Sequence, residues 1–351
     1  MKKNTLLTAV LGVMICLAGA FPVSAATSAA GLPGNSAPWR VDTQQPYLYE
    51  DVALDCLGLA ERYPGLVAAD SLCTTFDGRQ VPHLLIGDVK AANHVMIMGA
   101  IHAREYMTSQ LVMKQTIAFL EALESGNTVY KGVSLGELMQ DTAIHVLPLA
   151  NPDGVTISQL GPQALHTEAA RQKINEITAL DGGGSAQYYR RWKANAEGVD
   201  LNRQFDGRWA EYKDPAGHLS SDHYKGTSPL CTPEASAFAE LTLRYPFKRT
   251  ISYHEQGGVI YWYFGQQGSL LDETKAFADA ISAVTGYPED ANYQKLDPAG
   301  YKDWAIEKLG IPSLTVEVGS GTCPLPASQL PEMVSRNRDV WFETLYTMRV
   351  R

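Results

Sequence analysis

The sequence predicts an α/β fold, because short runs with the character of buried strands alternate with longer helical patterns. Four apolar runs, at 94–101, 143–149, 250–253 and 312–316, each have the composition of a buried strand. A helical pattern at 108–125 lies between the first two runs. Polar or charged residues follow each run at once, and functional groups of α/β proteins gather outside the carboxyl ends of strands. The ends of the four runs are therefore the predicted location of a functional site.

The N-terminal part of the chain differs in character from the rest. Residues 1–25 contain two lysines, an apolar stretch and then Val-Ser-Ala, which is the pattern of a secretory signal peptide. Residues 26–42 are rich in small residues, glycine and proline without a period, which predicts a flexible linker. A single domain follows at 43–351. Its first elements are predicted as one helix and two short strands, at 51–65, 71–75 and 83–86.

Composition and charge restrict the class of protein. The chain has 351 residues, of which 45% are hydrophobic and 19% charged, so it has enough apolar material for a sizeable core. Removal of residues 1–25 takes away two lysines and no acids, which changes the formal charge from -9 to -11 and argues against a nucleic-acid partner. The apolar stretch at the N-terminus is too short to cross a bilayer comfortably. We expect an exported, extracellular monomer without stable membrane insertion.

Four cysteines remain after the leader: Cys56, Cys73, Cys231 and Cys323. An even number in an exported protein permits disulfides, and four buried free thiols are the alternative. We expect Cys56 to pair with Cys73, because a helix and the strand just after it can bring them within reach. Cys231 and Cys323 are then left as a second pair. No C-x-x-C pair is present, so a cysteine-ligated zinc site is not expected.

His102 and Glu105 follow the first apolar run, and His254 follows the third. Histidine and carboxylate are the residue types that bind catalytic zinc, with three protein ligands and one open position. The H-x-x-E spacing alone is a modest signal, because an isolated histidine at such a junction is more often a capping or surface residue. His254, a third candidate ligand at another strand end, makes a zinc site the more specific hypothesis.

Five motifs follow one another along the chain: HARE at 102–105, NPDG at 151–154, GVDLNR at 198–203, YHEQGGVIYW at 253–262 and D-W-x12-E from 303 to 317. In this order they resemble the motifs of the carboxypeptidase A-like zinc peptidases, over roughly residues 45 to 345. Within that family, the chain is similar to the bacterial γ-D-glutamyl-diamino-acid endopeptidase branch, notably in RWKANA at 191–196, GYKDW at 300–304 and TVEVGSG at 315–321.

The resemblance implies a fold and a metal site. The fold would be a mixed, mostly parallel central sheet with helices on both faces, and 43–351 would be the catalytic domain. One zinc ion per chain would be bound by His102, Glu105 and His254. Asp200 would accept the free ring N–H of His102 and fix its tautomer.

The resemblance also implies catalytic and substrate-binding residues. Glu317 matches the general base, which takes a proton from the attacking water and passes it to the leaving amine. Lys193 stands where digestive relatives carry an arginine that stabilises the oxyanion. It supplies the positive charge but not the paired N–H donors of a guanidinium. Asn202 and Arg203 resemble the pair that binds the carboxylate at the C-terminal side of the substrate. Arg104 matches a position that lines the cleft.

Two further assignments depend on a loop that is two residues longer here than in digestive relatives. Tyr293 is the better match for the mobile tyrosine of the family, and Tyr301 is its rival. Lys302 occupies the position that sets the side-chain pocket beyond the scissile bond. A lysine there favours a substrate carboxylate by charge complementarity, and a solvated loop lysine is the alternative.

The resemblance therefore predicts a secreted zinc metallopeptidase that hydrolyses an amide bond next to a carboxylate-bearing residue in cell-wall peptides of the γ-D-glutamyl-diaminopimelate type. The alternative within the class is a metallocarboxypeptidase that removes C-terminal, acidic residues from ordinary peptides. A non-catalytic peptide-binding relative is disfavoured, because the three ligands, Glu317 and Arg203 are all present. A zinc deacylase of the same fold is disfavoured by the intact NPDG and D-W-x12-E motifs.

Overall fold

An eight-stranded mixed sheet forms the centre of the computed structural model, which describes residues 38–291 and 293–349. The strand at each sequence-predicted position is present, with ends that differ by a few residues. Two further strands form a separate ribbon at 129–134. The strands are β1 (Val67–Thr74), β2 (Gln80–Ile86), β3 (Asn93–Met98), β4 (Val129–Tyr130), β5 (Val133–Ser134), β6 (Thr142–Leu147), β7 (Phe247–Glu255), β8 (Val259–Tyr261), β9 (Glu289–Asp290) and β10 (Ser313–Val318).

The order of strands places the four predicted apolar runs side by side. Across the sheet the order is β1-β2-β6-β3-β7-β10-β8-β9. The neighbours β6, β3, β7 and β10 pair in parallel, whereas β2 pairs antiparallel with β1 and β6, and β8 pairs antiparallel with β10. The carboxyl ends of the four central strands therefore meet at one edge of the sheet.

Helices cover both faces of the sheet. Alternate side chains of β3 enter two different cores, because successive residues of a strand point to opposite faces: Val95 and Ile97 into one, Met96 and Met98 into the other. The first core is closed by α2, α3, α9, α11 and α12, and the second by α8 and α10. No helix within the two described ranges is both long and apolar enough to cross a membrane. The helices are α1 (Arg40–Thr43), α2 (Tyr49–Arg62), α3 (Met107–Glu124), α4 (Leu135–Met139), α5 (Pro152–Leu160), α6 (Glu168–Asp181), α7 (Ala186–Arg190), α8 (Pro233–Arg244), α9 (Gly268–Thr285), α10 (Tyr301–Leu309), α11 (Leu330–Asn337) and α12 (Val340–Arg349).

The predicted linker at 26–42 extends too far, because its last residues belong to the folded domain. Trp39 and Val41 are buried in the first core, with 6% and 1% of their surface exposed. Asp55 of α2 holds this segment, since its carboxylate accepts the backbone N–H of Arg40 at 3.0 Å and of Val41 at 2.9 Å. The predicted signal peptide at 1–25 lies outside the described residues, as does most of the linker.

The predicted disulfides are not present: Cys56, Cys73, Cys231 and Cys323 are all free. Cys56 is fully buried in the first core, whereas Cys73 packs against the second. The two cysteines do not meet, although their helix and strand are neighbours in the sequence, because each side chain faces a different apolar cluster. Cys323 is buried beside Glu255, with Sγ 3.9 Å from Oε2, and Cys231 is exposed.

Candidate metal centre and active site

The metal-binding candidates lie at the carboxyl ends of two adjacent parallel strands. His102 and Glu105 occupy the connection from β3 to α3, and His254 lies near the end of β7. The connection folds tightly onto the start of the helix, because a side chain on Gly99 would meet the carbonyl oxygen of Thr108 at 2.8 Å. Within it, the N–H of Glu105 donates to the carbonyl oxygen of His102 at 3.1 Å. The two side chains are thereby aimed into the same space.

The three side chains converge closely. Nδ1 of His102 lies 2.8 Å from Oε1 of Glu105, and Nδ1 of His254 lies 2.9 Å from Oε2 of the same carboxylate. The two Nδ1 atoms are 3.1 Å apart. All three residues are buried, and one ligand atom from each lies within 4.8 Å of the others.

This donor set fits a zinc ion. Two imidazole nitrogens and a carboxylate are brought together with little exposure to water, where their lone pairs need a cation or shared protons to be stable. Two nitrogens and one oxygen are the ligand types of catalytic zinc sites, which leave one position for water or substrate. Burial alone would raise the pKa of Glu105, but the two histidines lower that pKa below its usual range. Glu105 is therefore the anionic ligand.

Asp200 lies beside the second ring nitrogen of His102, and its role in fixing the ring tautomer stays a prediction. Its Oδ1 lies 3.3 Å from Nε2 of His102, so Nδ1 is left to face the metal position. Its Oδ2 lies 2.8 Å from the ammonium group of Lys193, which is also 3.5 Å from Asp222. Although burial opposes both charges, Asp200 has its pKa lowered by Lys193, and Lys193 has its pKa raised by Asp200. The lysine is therefore a fixed cation next to the metal centre.

Glu317 lies on β10, the neighbour of β7, and is paired in register with His254. It lines the cleft together with the three ligands. Its Oε2 is buried and accepts no hydrogen bond from the described residues. Burial raises its pKa to about 8, against the opposing effect of His254. A carboxyl group in this state holds and releases a proton near neutral pH.

Arg203 and Asn202 also line the cleft. Oδ1 of Asn202 accepts the N–H of Tyr301 at 3.0 Å, which fixes the side chain so that its NH₂ group is the donor available to the cleft. The guanidinium of Arg203 lies 4.8 Å from the centre of the Tyr212 ring and forms an ion pair of 2.6 Å with Asp297. Burial alone would lower the pKa of Arg203, but Asp200 and Asp297 raise that pKa above its usual range, so the guanidinium stays charged.

Arg104 and Lys302 also line this cleft, and their contact with substrate stays a prediction. Nη1 of Arg104 donates to Asp222 at 3.0 Å and to the carbonyl oxygen of Arg191 at 3.2 Å. The ammonium group of Lys302 contacts Asp303 and lies 3.3 Å from the carbonyl oxygen of Tyr263. Only 11% of the Lys302 side chain is exposed, which excludes a freely solvated loop lysine.

The structure distinguishes the two tyrosine candidates. Tyr301 is 1% exposed, and its hydroxyl bonds to Oγ1 of Thr242 at 2.9 Å in the second core, so it has no access to the cleft. Tyr293 is 63% exposed and packs against Tyr263, with ring centroids 4.5 Å apart and the rings tilted by 60°. Since Tyr263 lines the cleft, Tyr293 lies at its rim, and its contact with substrate stays a prediction.

Two further residues position groups of the site, although neither was assigned a role from the sequence. Asn151, in NPDG, donates from Nδ2 to the carbonyl oxygens of Ile101 at 3.2 Å and Ala194 at 3.1 Å, so it ties together the segments that carry His102 and Lys193. Asp222 contacts both Lys193 and Arg104. The NPDG motif was the signal for Asn151, whereas Asp222 lies in no recognised motif.

A buried His-Glu-His centre that opens to a cleft, with a carboxylate on the neighbouring strand, defines the site of a zinc hydrolase. Residues 55–340 match the zinc carboxypeptidase model of the M14 peptidase family, and the chain belongs to this family. It is therefore a zinc metallopeptidase.

Individual relatives agree with this assignment. Gamma-D-glutamyl-L-diamino acid endopeptidase 1 from Lysinibacillus sphaericus is 34% identical over 313 residues, which cover 88% of this chain and 74% of that protein. Bovine thrombin-activatable fibrinolysis inhibitor, solved with tick carboxypeptidase inhibitor, has a TM-score of 0.64 at 19% identity and covers 84% of this chain and 94% of its own. Carboxypeptidase A from Helicoverpa armigera has a TM-score of 0.59 at 18% identity, covering 86% and 72%. The two structures confirm the predicted fold.

Proposed function

We propose that the protein is a secreted zinc peptidase that hydrolyses an amide bond next to a carboxylate-bearing residue in cell-wall peptides, of the γ-D-glutamyl-diaminopimelate type. The observation that carries the proposal is the position of Lys302 on the wall of the cleft that holds the metal centre. An ammonium group on this wall favours a substrate side chain with a carboxylate, and diaminopimelate has such a second carboxylate. The similarity to an endopeptidase named for this bond supports the same substrate class.

Each residue of the cleft has a separate role in the proposed reaction. His102, Glu105 and His254 would hold the zinc, which when bound polarises the scissile carbonyl and lowers the pKa of water. Glu317 takes a proton from the attacking water at its buried carboxylate and delivers it to the leaving nitrogen. Lys193 lies next to the centre as a fixed positive charge and stabilises negative charge that develops on the carbonyl oxygen. Arg104, Asn202 and Arg203 orient the substrate, and Tyr293 contributes from the rim.

Hydrolysis of C-terminal, acidic residues from ordinary peptides is the second candidate. Arg203 and Asn202 favour it, because a guanidinium and an amide NH₂ on one wall suit a terminal carboxylate. The two candidates share the metal, the base and the preference for a nearby carboxylate. They differ in whether the chain continues beyond the residue that is bound.

The test is product analysis by mass spectrometry. The zinc-loaded protein is incubated with defined muropeptides that contain γ-D-glutamyl-diaminopimelate and with peptides whose C-terminal residue is acidic, neutral or basic. Cleavage of the γ-D-glutamyl bond at a rate well above that of any ordinary peptide supports the proposal. Faster release of single C-terminal residues from ordinary peptides favours the second candidate.

Substitution of Lys302 tests the charge argument separately. Lys302→Ala should lower the preference for the acidic side chain by about tenfold in kcat/KM, and Lys302→Glu should shift it toward basic side chains. Lys308→Ala is a matched control, because Lys308 lies on the same helix with 45% of its side chain exposed. Unchanged selectivity in both Lys302 variants would show that this residue does not determine which substrate side chain is preferred.

Export is proposed from the leader pattern at 1–25. Expression of the full chain in a secreting bacterial host, followed by N-terminal sequencing of the protein recovered from the medium, tests it. A mature N-terminus close to residue 26 supports export, whereas an intact N-terminus on protein retained in the cells contradicts it.

A further inference from the structure

Arg203 is bound by an acidic side chain of the protein itself. Its guanidinium is fixed and nearly buried: 10% of the side chain is exposed, Nη1 donates to the carbonyl oxygen of Asn202 at 2.9 Å, and the group stacks on Tyr212. Asp297 contributes the carboxylate, with Oδ2 2.6 Å from Nη2, and 66% of its side chain is exposed. One partner of this pair is rigid, and the other stands in solvent at the mouth of the cleft.

The backbone around Asp297 places it against Arg203. Two residues further on, the N–H of Ala299 donates to the carbonyl oxygen of Gly207 at 2.8 Å, and its own carbonyl accepts the N–H of Phe205 at 3.1 Å. This short ladder joins the loop of Asp297 to the segment directly after Arg203. The backbone of the cleft wall therefore holds Asp297 next to Arg203.

A substrate carboxylate would use the same edge of Arg203. A guanidinium binds carboxylates through parallel N–H donors, and one of its terminal nitrogens already serves Asn202. The remaining terminal nitrogen is the one that Asp297 contacts. Each terminal nitrogen carries two N–H groups, so a carboxylate that enters the cleft must share this nitrogen with Asp297 or displace Asp297, and it meets the negative charge of Asp297 in either case. A neutral group or a continuing peptide chain meets no such competition.

We propose that Asp297 is a specificity-determining residue that competes with a substrate's terminal carboxylate for Arg203 and so weakens the preference of the cleft for substrates that end there. The inference rests on the proposed peptidase function and deepens it. It accounts for how a cleft with an arginine on its wall accepts a substrate whose chain continues past the scissile bond.

The test compares pairs of substrates that differ only in a C-terminal carboxylate or carboxamide. In Asp297→Asn, kcat/KM for the acid relative to the amide should rise about tenfold, mainly through a lower KM for the acid. The values for the amide should stay near those of the wild type. An unchanged ratio in Asp297→Asn overturns the proposal.

Three controls separate competition from general charge effects. Asp290→Asn removes a charge of the same sign from the same cleft and should leave the ratio unchanged, and Asp297→Glu should retain the low ratio of the wild type. In an Arg203→Gln background, the effect of Asp297→Asn should disappear, because the group that is competed for is absent. A full effect in that background, or an equal effect of Asp290→Asn, contradicts direct competition.

A failure of the proposed function can be distinguished from a failure of the inference about Asp297. If the zinc-loaded wild type hydrolyses none of the substrates, calorimetric binding of N-acetyl-L-alanine and its amide replaces the kinetic ratio. Tighter binding of the acid, but not of the amide, to Asp297→Asn supports the inference even then. Equal affinities for wild type and variant overturn it.

Discussion

At the scale of single residues, His102 has a carboxylate at each ring nitrogen. Glu105 lies on the Nδ1 side at 2.8 Å and Asp200 on the Nε2 side at 3.3 Å. In its predicted role, Asp200 fixes the ring tautomer, which leaves a lone pair directed at the metal position. The affinity for zinc should therefore depend on a residue that does not bind the metal.

One zinc ion per chain is expected, and alanine at His102, Glu105 or His254 should each lower its occupancy. Asp200→Asn should retain the ion but weaken its affinity by about 10- to 100-fold, because the amide no longer polarises the imidazole. Elemental analysis and titration against a competing chelator measure both effects. Chelation should abolish activity, and added zinc should restore it. Full activity of metal-free protein would exclude the assigned centre.

Glu317→Gln should preserve fold and zinc content while turnover falls by several orders of magnitude. The amide has the size of the acid but cannot take up the proton of the attacking water, so the loss appears in kcat more than in KM. Steady-state kinetics and metal analysis on one preparation provide the measurement. Turnover within about tenfold of the wild type would mean that another residue acts as the base.

At the scale of elements, strand ends explain which residues the sequence could reveal. His102, His254 and Glu317 each follow an apolar run, and the parallel pairing of β3, β7 and β10 brings them together at one edge. Such residues are predictable because a buried strand and its carboxyl end are visible in the sequence. The fold class was predicted correctly for this reason, and the residues predicted as metal ligands lie together in the structure.

Contacts between loops that are distant in sequence are not marked by any comparable pattern of residues. Asp222 and Asp297 lie in irregular segments, and their ion pairs with Lys193 and Arg203 depend on how those segments fold back. The choice between Tyr293 and Tyr301 required the structure, because only the burial of Tyr301 excludes it. The disulfide prediction failed because proximity in sequence does not specify the core that each cysteine faces.

The start of α5 acts as a brace between two loops of the active site. Its N-cap residue, Asn151, bonds to carbonyl groups of both loops, and Gly154 lets the helix approach one of them. A side chain on Gly154 would lie 2.3 Å from the carbonyl oxygen of Ala194, next to Lys193. Overlap with a backbone atom can be relieved only by moving the helix or the loop.

Gly154→Ala should therefore lower both stability and activity. We expect a loss of about 1–3 kcal/mol in the free energy of unfolding, together with a reduced kcat, since the loop of Lys193 must shift. Gly136→Ala is the matched control, because an added Cβ on Gly136 in α4 meets no atom within 4 Å. Urea unfolding and steady-state kinetics provide the measurement, and equal behaviour of the two variants would contradict the role of the brace.

At the scale of the whole molecule, acidic groups outside the metal centre are buried in the domain. Asp153 has its pKa raised to about 6 by burial, and burial together with Asp153 and Glu197 raises the pKa of Glu234 to about 8. Glu234 belongs to the first turn of α8, where its carboxyl group faces the amide of Asn195 at 3.3 Å. Such groups make the stability of the whole domain depend on pH.

The sign of this dependence follows from proton binding. Between about pH 4.5 and pH 8, Glu234 keeps its proton in the folded protein, whereas an unfolded chain has lost it. The folded state then binds more protons, so this group makes the free energy of unfolding fall as the pH rises through that window. Glu234→Gln keeps a neutral group at every pH and should remove this part of the decline. Acids that do not interact with Glu234 contribute equally to both proteins and cancel in the comparison.

Urea unfolding of wild type and Glu234→Gln at pH 5 and pH 8 measures the effect. The variant should gain stability relative to the wild type between these two values, by roughly 1–4 kcal/mol, since each unit of pKa shift corresponds to about 1.4 kcal/mol. Glu240→Gln, at an exposed position of the same helix, controls for the loss of one charge. Parallel pH profiles of wild type and Glu234→Gln would mean that Glu234 is ionised in the folded protein. The N-terminus of α8 and Asn195 would then stabilise its charge more than burial opposes it.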